Sequence, residues 1–143
     1  TAYRVASGTG GPTSAYAQQR AMLVTENRKP DPRNLMIDDL IDYIIQCQQS
    51  GHDILLCIDA NESMSKCNSK IRRLANACNL LDVHSHLHPD DNDVPSFIRG
   101  SEKIDFCLAS PTILECITRS GILVIDDAYN KKKLNFYLKT SAL

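Results

Sequence analysis

The stretch Ile54-Leu55-Leu56-Cys57-Ile58-Asp59-Ala60-Asn61-Glu62 constrains this chain more than any other. Five apolar residues run without a break into an acid, a small residue, an amide and a second acid. Such a run, bounded by polar turn-formers, predicts a strand buried on both faces. A strand of that kind needs covering layers on each side, which points to an α/β or α+β fold. Ligands in open sheets collect at the carboxyl ends of strands. Asp59 and Asn61 stand at that end, and side chains two apart in an extended chain share a face. The same two residue types also shape turns and cap helices, so a conformational role stands beside the functional one.

What precedes the strand is helical. Asp31 can cap a helix with Pro32 at its first position. Met36, Ile37, Leu40, Ile41, Ile44 and Ile45 then recur at helical spacing, and Gly51 ends the helix. Before it, Thr13 or Ser14 can cap another helix running to about Glu26. Tyr3 and Val5 alternate with smaller or polar neighbours and predict a short strand. Strand, helix and buried strand together suggest a βαβ unit. The glycines at 8, 10 and 11 lack the spacing of a phosphate-binding loop.

Beyond Glu62, residues 69–81 predict a third helix, apolar through Ile71, Leu74, Ala75, Cys78 and Leu81. Its other side is basic through Lys66, Lys70, Arg72 and Arg73, which is commonly a solvated face. A brief strand is expected over 80–83. His84, His86 and His88 would all face one way in an extended segment, an arrangement suited to a transition metal. Their Asp- and Pro-rich surroundings favour a polar surface loop. Residues 95–101 and 103–110 read as two strands of an antiparallel hairpin around Gly100. Asp105 lies in mid-strand, where its propensity is poor, so it needs a partner or a task. A helical turn over 111–116 and strands over 122–125 and 134–138 complete the chain.

Composition sets outer limits. A chain of 143 residues with 43% hydrophobic and 23% charged residues suits a single domain or part of one. A net charge of −1 gives no global attraction to nucleic acid. No apolar run approaches the roughly 20 residues of a membrane helix, and the start resembles neither a signal nor a transit peptide. Six cysteines without a Cys-x-x-Cys pair favour buried thiols in a reducing, nuclear or cytoplasmic setting over a disulfide framework.

The order of these elements resembles a known family. Tyr3 in a strand, then helices, the strand ending Asp59-Ala60-Asn61, then Phe97-Ile98-Arg99-Gly100 and Lys103-Ile104-Asp105-Phe106 is similar to the endonuclease/exonuclease/phosphatase superfamily. Gly11 to Gln19 and the Asp31-Pro32-Arg33 helix start resemble its retroelement-type, apurinic endonuclease-like branch. The resemblance covers the chain up to about residue 125. It implies a four-layer sandwich of mostly antiparallel sheets flanked by helices, and a magnesium-dependent phosphodiesterase acting on nucleic acid, DNA foremost. Asp59 would orient and deprotonate the attacking water, and Asn61 would hold the phosphate. Tyr3 would contact the phosphate or the leaving oxygen. Asp105 would pair with a catalytic histidine, while Arg99 and Lys103 would bind substrate.

Two parts of the family pattern have no counterpart at the matching positions. The family's metal-binding Glu would precede residue 1, and Lys131-Lys132-Lys133 stands where the Ser-Asp-His turn would fall. The expectation is therefore the C-terminal portion of one domain, lacking its N-terminal half, with no metal ligand of its own and no activity alone. An exposed sheet surface would then drive association. The alternative is a non-catalytic nucleic-acid or phosphate-binding module using Lys66, Lys70, Arg72, Arg73, Arg99 and Lys131 to Lys133.

Overall fold

The computed structural model describes residues 1–6, 11–28, 31–90, 95–96, 101–126 and 132–140, with the side chains of 122–126 and 132–138 left aside. In chain order the elements are β1 (Ala2–Tyr3), α1 (Ala15–Thr25), α2 (Pro32–Gln49), β2 (Leu55–Asp59), α3 (Lys70–Ala77) and β3 (Leu81–Asp82). There follow α4 (Val83–Leu87), β4 (Asp105–Ala109), α5 (Pro111–Cys116), β5 (Ile117–Asp126) and β6 (Lys132–Thr140). The fold is mixed α+β.

The helices begin where capping chemistry puts them. Ser14 Oγ accepts from the Ala17 N–H. Asp31 Oδ1 accepts from the N–H groups of Arg33 and Asn34, at 3.1 and 3.2 Å, and Ser69 Oγ accepts from Arg72 N–H. These bonds satisfy donors that the first helical turn leaves open. α2 stops at Gly51, whose φ of 80° belongs to the left-handed region that suits glycine. α3 ends at Ala77, short of the expected residue 81. Asn79 takes a φ of 49°, and the Leu80 N–H turns back to the Ala75 carbonyl. A left-handed Asn stops a helix even where the apolar pattern continues.

β1, β2, β4 and β3 form one sheet in that spatial order. β1 runs parallel to β2, with Tyr3 opposite Asp59; β4 is antiparallel to both β2 and β3. The strand–helix–strand relation of β1 and β2 is thus present. β5 and β6 form a separate antiparallel ribbon.

One face of the sheet carries the main core. Leu56 and Ile58 of β2 and Phe106 and Leu108 of β4 pack with Ile37 and Ile44 of α2 and with Ile71 and Leu74 of α3. Burying a side chain of that size stabilises by about 1.5–3 kcal/mol. The opposite face carries a smaller cluster in which Cys107 and Ala109 meet Val83 of α4, Leu114 of α5 and Ile117 of β5. β2 is therefore fully buried on one face only. Leu56 and Ile58 are 7% and 3% exposed, whereas Leu55 is 48% exposed. The expectation of burial on both faces fails because the second layer is short and centred on β4.

Two further expectations change. The three histidines do not lie in an extended loop: α4 takes up His84 and His86, with His88 at its end. Helical spacing brings His84 and His88 together at 4.8 Å between ring centroids and leaves His86 on another side. The hairpin expected over 95–110 is not seen in its described part. Pro95, Ser96 and Ser101 to Ile104 are not strand, and Phe97 to Gly100, Arg99 included, lie outside the described residues.

Candidate functional site

The backbone pairing of β2 and β4 determines which side chains meet. Ala60 N–H donates to the Ile104 carbonyl, and Ser110 N–H to the Ile54 carbonyl. Those pairs are hydrogen-bonded, so the alternate pairs Asp59/Asp105 and Cys57/Cys107 are the non-hydrogen-bonded ones in the same register. Opposed side chains approach more closely at such positions. Two carboxylates consequently face each other at the carboxyl end of β2.

The pairing has an electrostatic consequence. The Asp105 carboxyl is raised above its ordinary value, first by burial and then by the charge of Asp59, against a lowering hydrogen bond from the Ser96 hydroxyl. Ser96 fixes this end of β4 further, because its Oγ accepts from the N–H groups of Ile104 and Asp105 at 2.8 and 2.9 Å. The sequence gives little sign of Ser96, since a serine after a proline in an apparent strand carries no spacing signal. Tyr3 is brought beside Asp59 by the parallel register of β1 and is 61% exposed.

Asn61 shapes the loop. Its N–H donates to Asp59 Oδ1 at 3.2 Å, its Nδ2 donates to the Arg4 carbonyl at 2.7 Å, and its φ is 48°. These are the features of an Asx turn in a left-handed residue. The conformational role weighed from the sequence is therefore present, and the side-chain amide is committed to holding β1 against the turn.

Beneath the turn lies a buried ionic frame that spacing alone does not reveal. Arg4 is 2% exposed; it pairs with Glu62, donates to the Ala60 carbonyl at 3.3 Å and donates to the Arg33 carbonyl at 3.2 Å. Arg33 lies 3.6 Å from Glu62 and donates to the Asn61 carbonyl at 3.2 Å. Glu62 also accepts from the Lys70 N–H at the start of α3. Burial acts to raise the Glu62 carboxyl, but its hydrogen bonds from Arg4 and Lys70 outweigh burial and hold it below the ordinary value. One carboxylate thereby joins the end of β1, the start of α2 and the start of α3.

Lys103 is placed differently from a substrate ligand. It is 5% exposed, its ammonium is paired with Asp82, and it lies 5.4 Å from the centroid of the Phe106 ring. The basic side of α3 is also engaged: Arg73 pairs with Asp38, Lys66 lies 3.0 Å from Glu102, and Arg72 donates to the Met64 carbonyl.

Asp59 and Asp105 offer two facing carboxylates, fewer than a metal site built from protein donors alone supplies. Among the described residues, no group of three or more His, Cys, Asp or Glu side chains is placed to hold a metal ion. At this sheet end a magnesium ion would be held by Asp59 and Asp105 together with waters and substrate phosphates, since one or two carboxylates commonly suffice for that ion.

No family model matches the chain, and no curated protein matches its sequence. Among the described residues, no helix is long and apolar enough to cross a membrane.

Proposed function

We propose that the chain carries part of a phosphodiesterase site acting on nucleic acid, DNA foremost, of the endonuclease/exonuclease/phosphatase type. The observation that supports this reading best is the opposition of Asp59 and Asp105 at the end of a sheet, with Tyr3 alongside. Asp59 would orient and deprotonate the attacking water. That task needs a carboxylate base within hydrogen-bond reach of the water. Asp105 shares the site as an acid that burial and the neighbouring Asp59 charge raise above its ordinary value. Tyr3, half in solvent beside Asp59, would contact the phosphate or the leaving oxygen. Asn61 acts here through its turn, which aims Asp59. Magnesium is implied by the resemblance, whose metal-binding Glu has no counterpart at the matching position, so this reading expects no cleavage by the chain alone.

A titration tests this. The chain would be mixed with abasic and plain duplex DNA in the presence of magnesium, with amide resonances and strand scission followed together. Perturbation should centre on Tyr3, residues 59–61 and Asp105, tighten in apparent affinity with Asp59→Ala, which removes a negative charge from beside the phosphate, and leave the DNA intact. Perturbation confined to α3 and the β5–β6 ribbon, insensitive to Asp59→Ala, would replace this reading with a non-catalytic binding module. Cleavage abolished by Asp59→Ala would overturn the inactivity.

A further inference from the structure

One rung below the acid pair, Cys57 and Cys107 occupy directly opposed positions on β2 and β4. Both are thiols, and their sulfurs lie 3.7 Å apart. The pair is of the non-hydrogen-bonded kind, for which Cα atoms stand about 4.5 Å apart. That is inside the range a disulfide spans, and the sulfurs need to close by less than about 2 Å to bond. The two sites differ in access. Cys107 is 1% exposed in the cluster with Val83, Ala109 and Leu114, while Cys57 is half-buried at the margin of that cluster.

We propose that Cys57 and Cys107 form a thiol–disulfide pair, oxidised by hydroperoxides to a reversible cross-strand disulfide that bridges β2 and β4 beneath Asp59 and Asp105. Cys57 is the attacking sulfur. Its thiolate attacks the distal oxygen of the hydroperoxide: the S–O bond forms, the O–O bond breaks, and the alkoxide leaves and takes up a proton, giving a Cys57 sulfenic acid and the alcohol, or water from hydrogen peroxide. The Cys107 sulfur then attacks the sulfenic sulfur. The S–S bond forms, the S–O bond breaks, and hydroxide leaves with the Cys107 proton as water. The dithiol loses two electrons and the peroxide bond gains them. A dithiol reductant reverses the step by exchange. The division of labour agrees with the electrostatics: the hydrogen bond from Cys107 lowers the Cys57 thiol to about 6, and that same bond, together with burial, raises Cys107.

The chain would be exposed to stoichiometric hydrogen peroxide, alkylated and digested without reduction, then analysed by mass spectrometry. The expected product is one cross-linked peptide holding Cys57 and Cys107, two hydrogens lighter than its parts and released by dithiothreitol. Two alkylatable thiols should be lost per chain, while Cys57→Ser yields no cross-link and retains Cys107 as an alkylatable thiol. Recovery of Cys57 and Cys107 as separate alkylated thiols would overturn the proposal. So would a Cys57 sulfenic or sulfinic acid beside an alkylated Cys107, or a cross-link to another cysteine. Because the wild-type chain is mapped directly, the result does not depend on a variant folding.

Discussion

At the scale of the residue, position in the ladder decides what each side chain can do. Asp105 is an acid whose folded value is raised. Its contribution to stability is therefore present in full below the unfolded value and is lost as pH rises through the folded value. Asp105→Asn, which keeps an acceptor for Ser96 and removes the charge facing Asp59, should raise stability at neutral pH. The gain should vanish under acid conditions, as denaturant melts across a pH series would show. Glu62 has the opposite sign. Its folded value is depressed, so its contribution is present above the unfolded value and is lost as pH falls through the folded value. Glu62→Ala leaves Arg4 charged and buried, and should cost about 3 kcal/mol in urea denaturation at neutral pH. Asp59, Asn61 and Asp105 are legible from the sequence because acids and amides are out of place in and after apolar strands. Arg4, Glu62 and Ser96 are not, because their partners lie far away in the chain and no local spacing announces them.

At the scale of the element, legibility follows the strength of the local signal. α2 has a capping Asp, Pro32 at its first position, a sustained apolar stripe and a stopping Gly51; its bounds follow from the sequence. β2 and β4 follow from their apolar runs and alternation. α4 does not, since His-Ser-His-Leu-His has no apolar stripe of helical period. Its helicity comes instead from Val83 and Leu87 packing on the β4 face. α3 overruns in the sequence because Leu80 and Leu81 prolong its pattern past Asn79. Two measurements address these elements. Removing the cap by Asp31→Ala should cost about 1 kcal/mol in thermal or urea melts. Leu108→Ala, at a position with 0% exposure between β2 and the helical layer, should cost about 2–5 kcal/mol.

At the scale of the whole molecule, the layers are unequal. α2 and α3 cover one face of the four-stranded sheet, while the other face is covered around β4 and leaves Leu55 of β2, and Tyr3 and Leu81 of the edge strands β1 and β3, exposed at 48%, 61% and 44%. Exposed apolar side chains on short edge strands favour association. Sedimentation velocity should accordingly show concentration-dependent self-association, and a monomer at all concentrations would contradict this. The mixed α+β architecture was accessible from the order of apolar runs and caps. The unequal cover was not, because a run such as Ile54 to Ile58 carries no record of how far the second layer extends. What the layers produce together is a sheet end at which β2 and β4 set Asp59 against Asp105. The most direct test is a carboxyl-carbon NMR titration of Asp105 in the wild-type chain and in Asp59→Asn. Asp105 should titrate above the ordinary aspartate value and move down when the Asp59 charge is removed. An Asp105 that titrates at the ordinary value and ignores Asp59→Asn would show that the two carboxylates do not form one site.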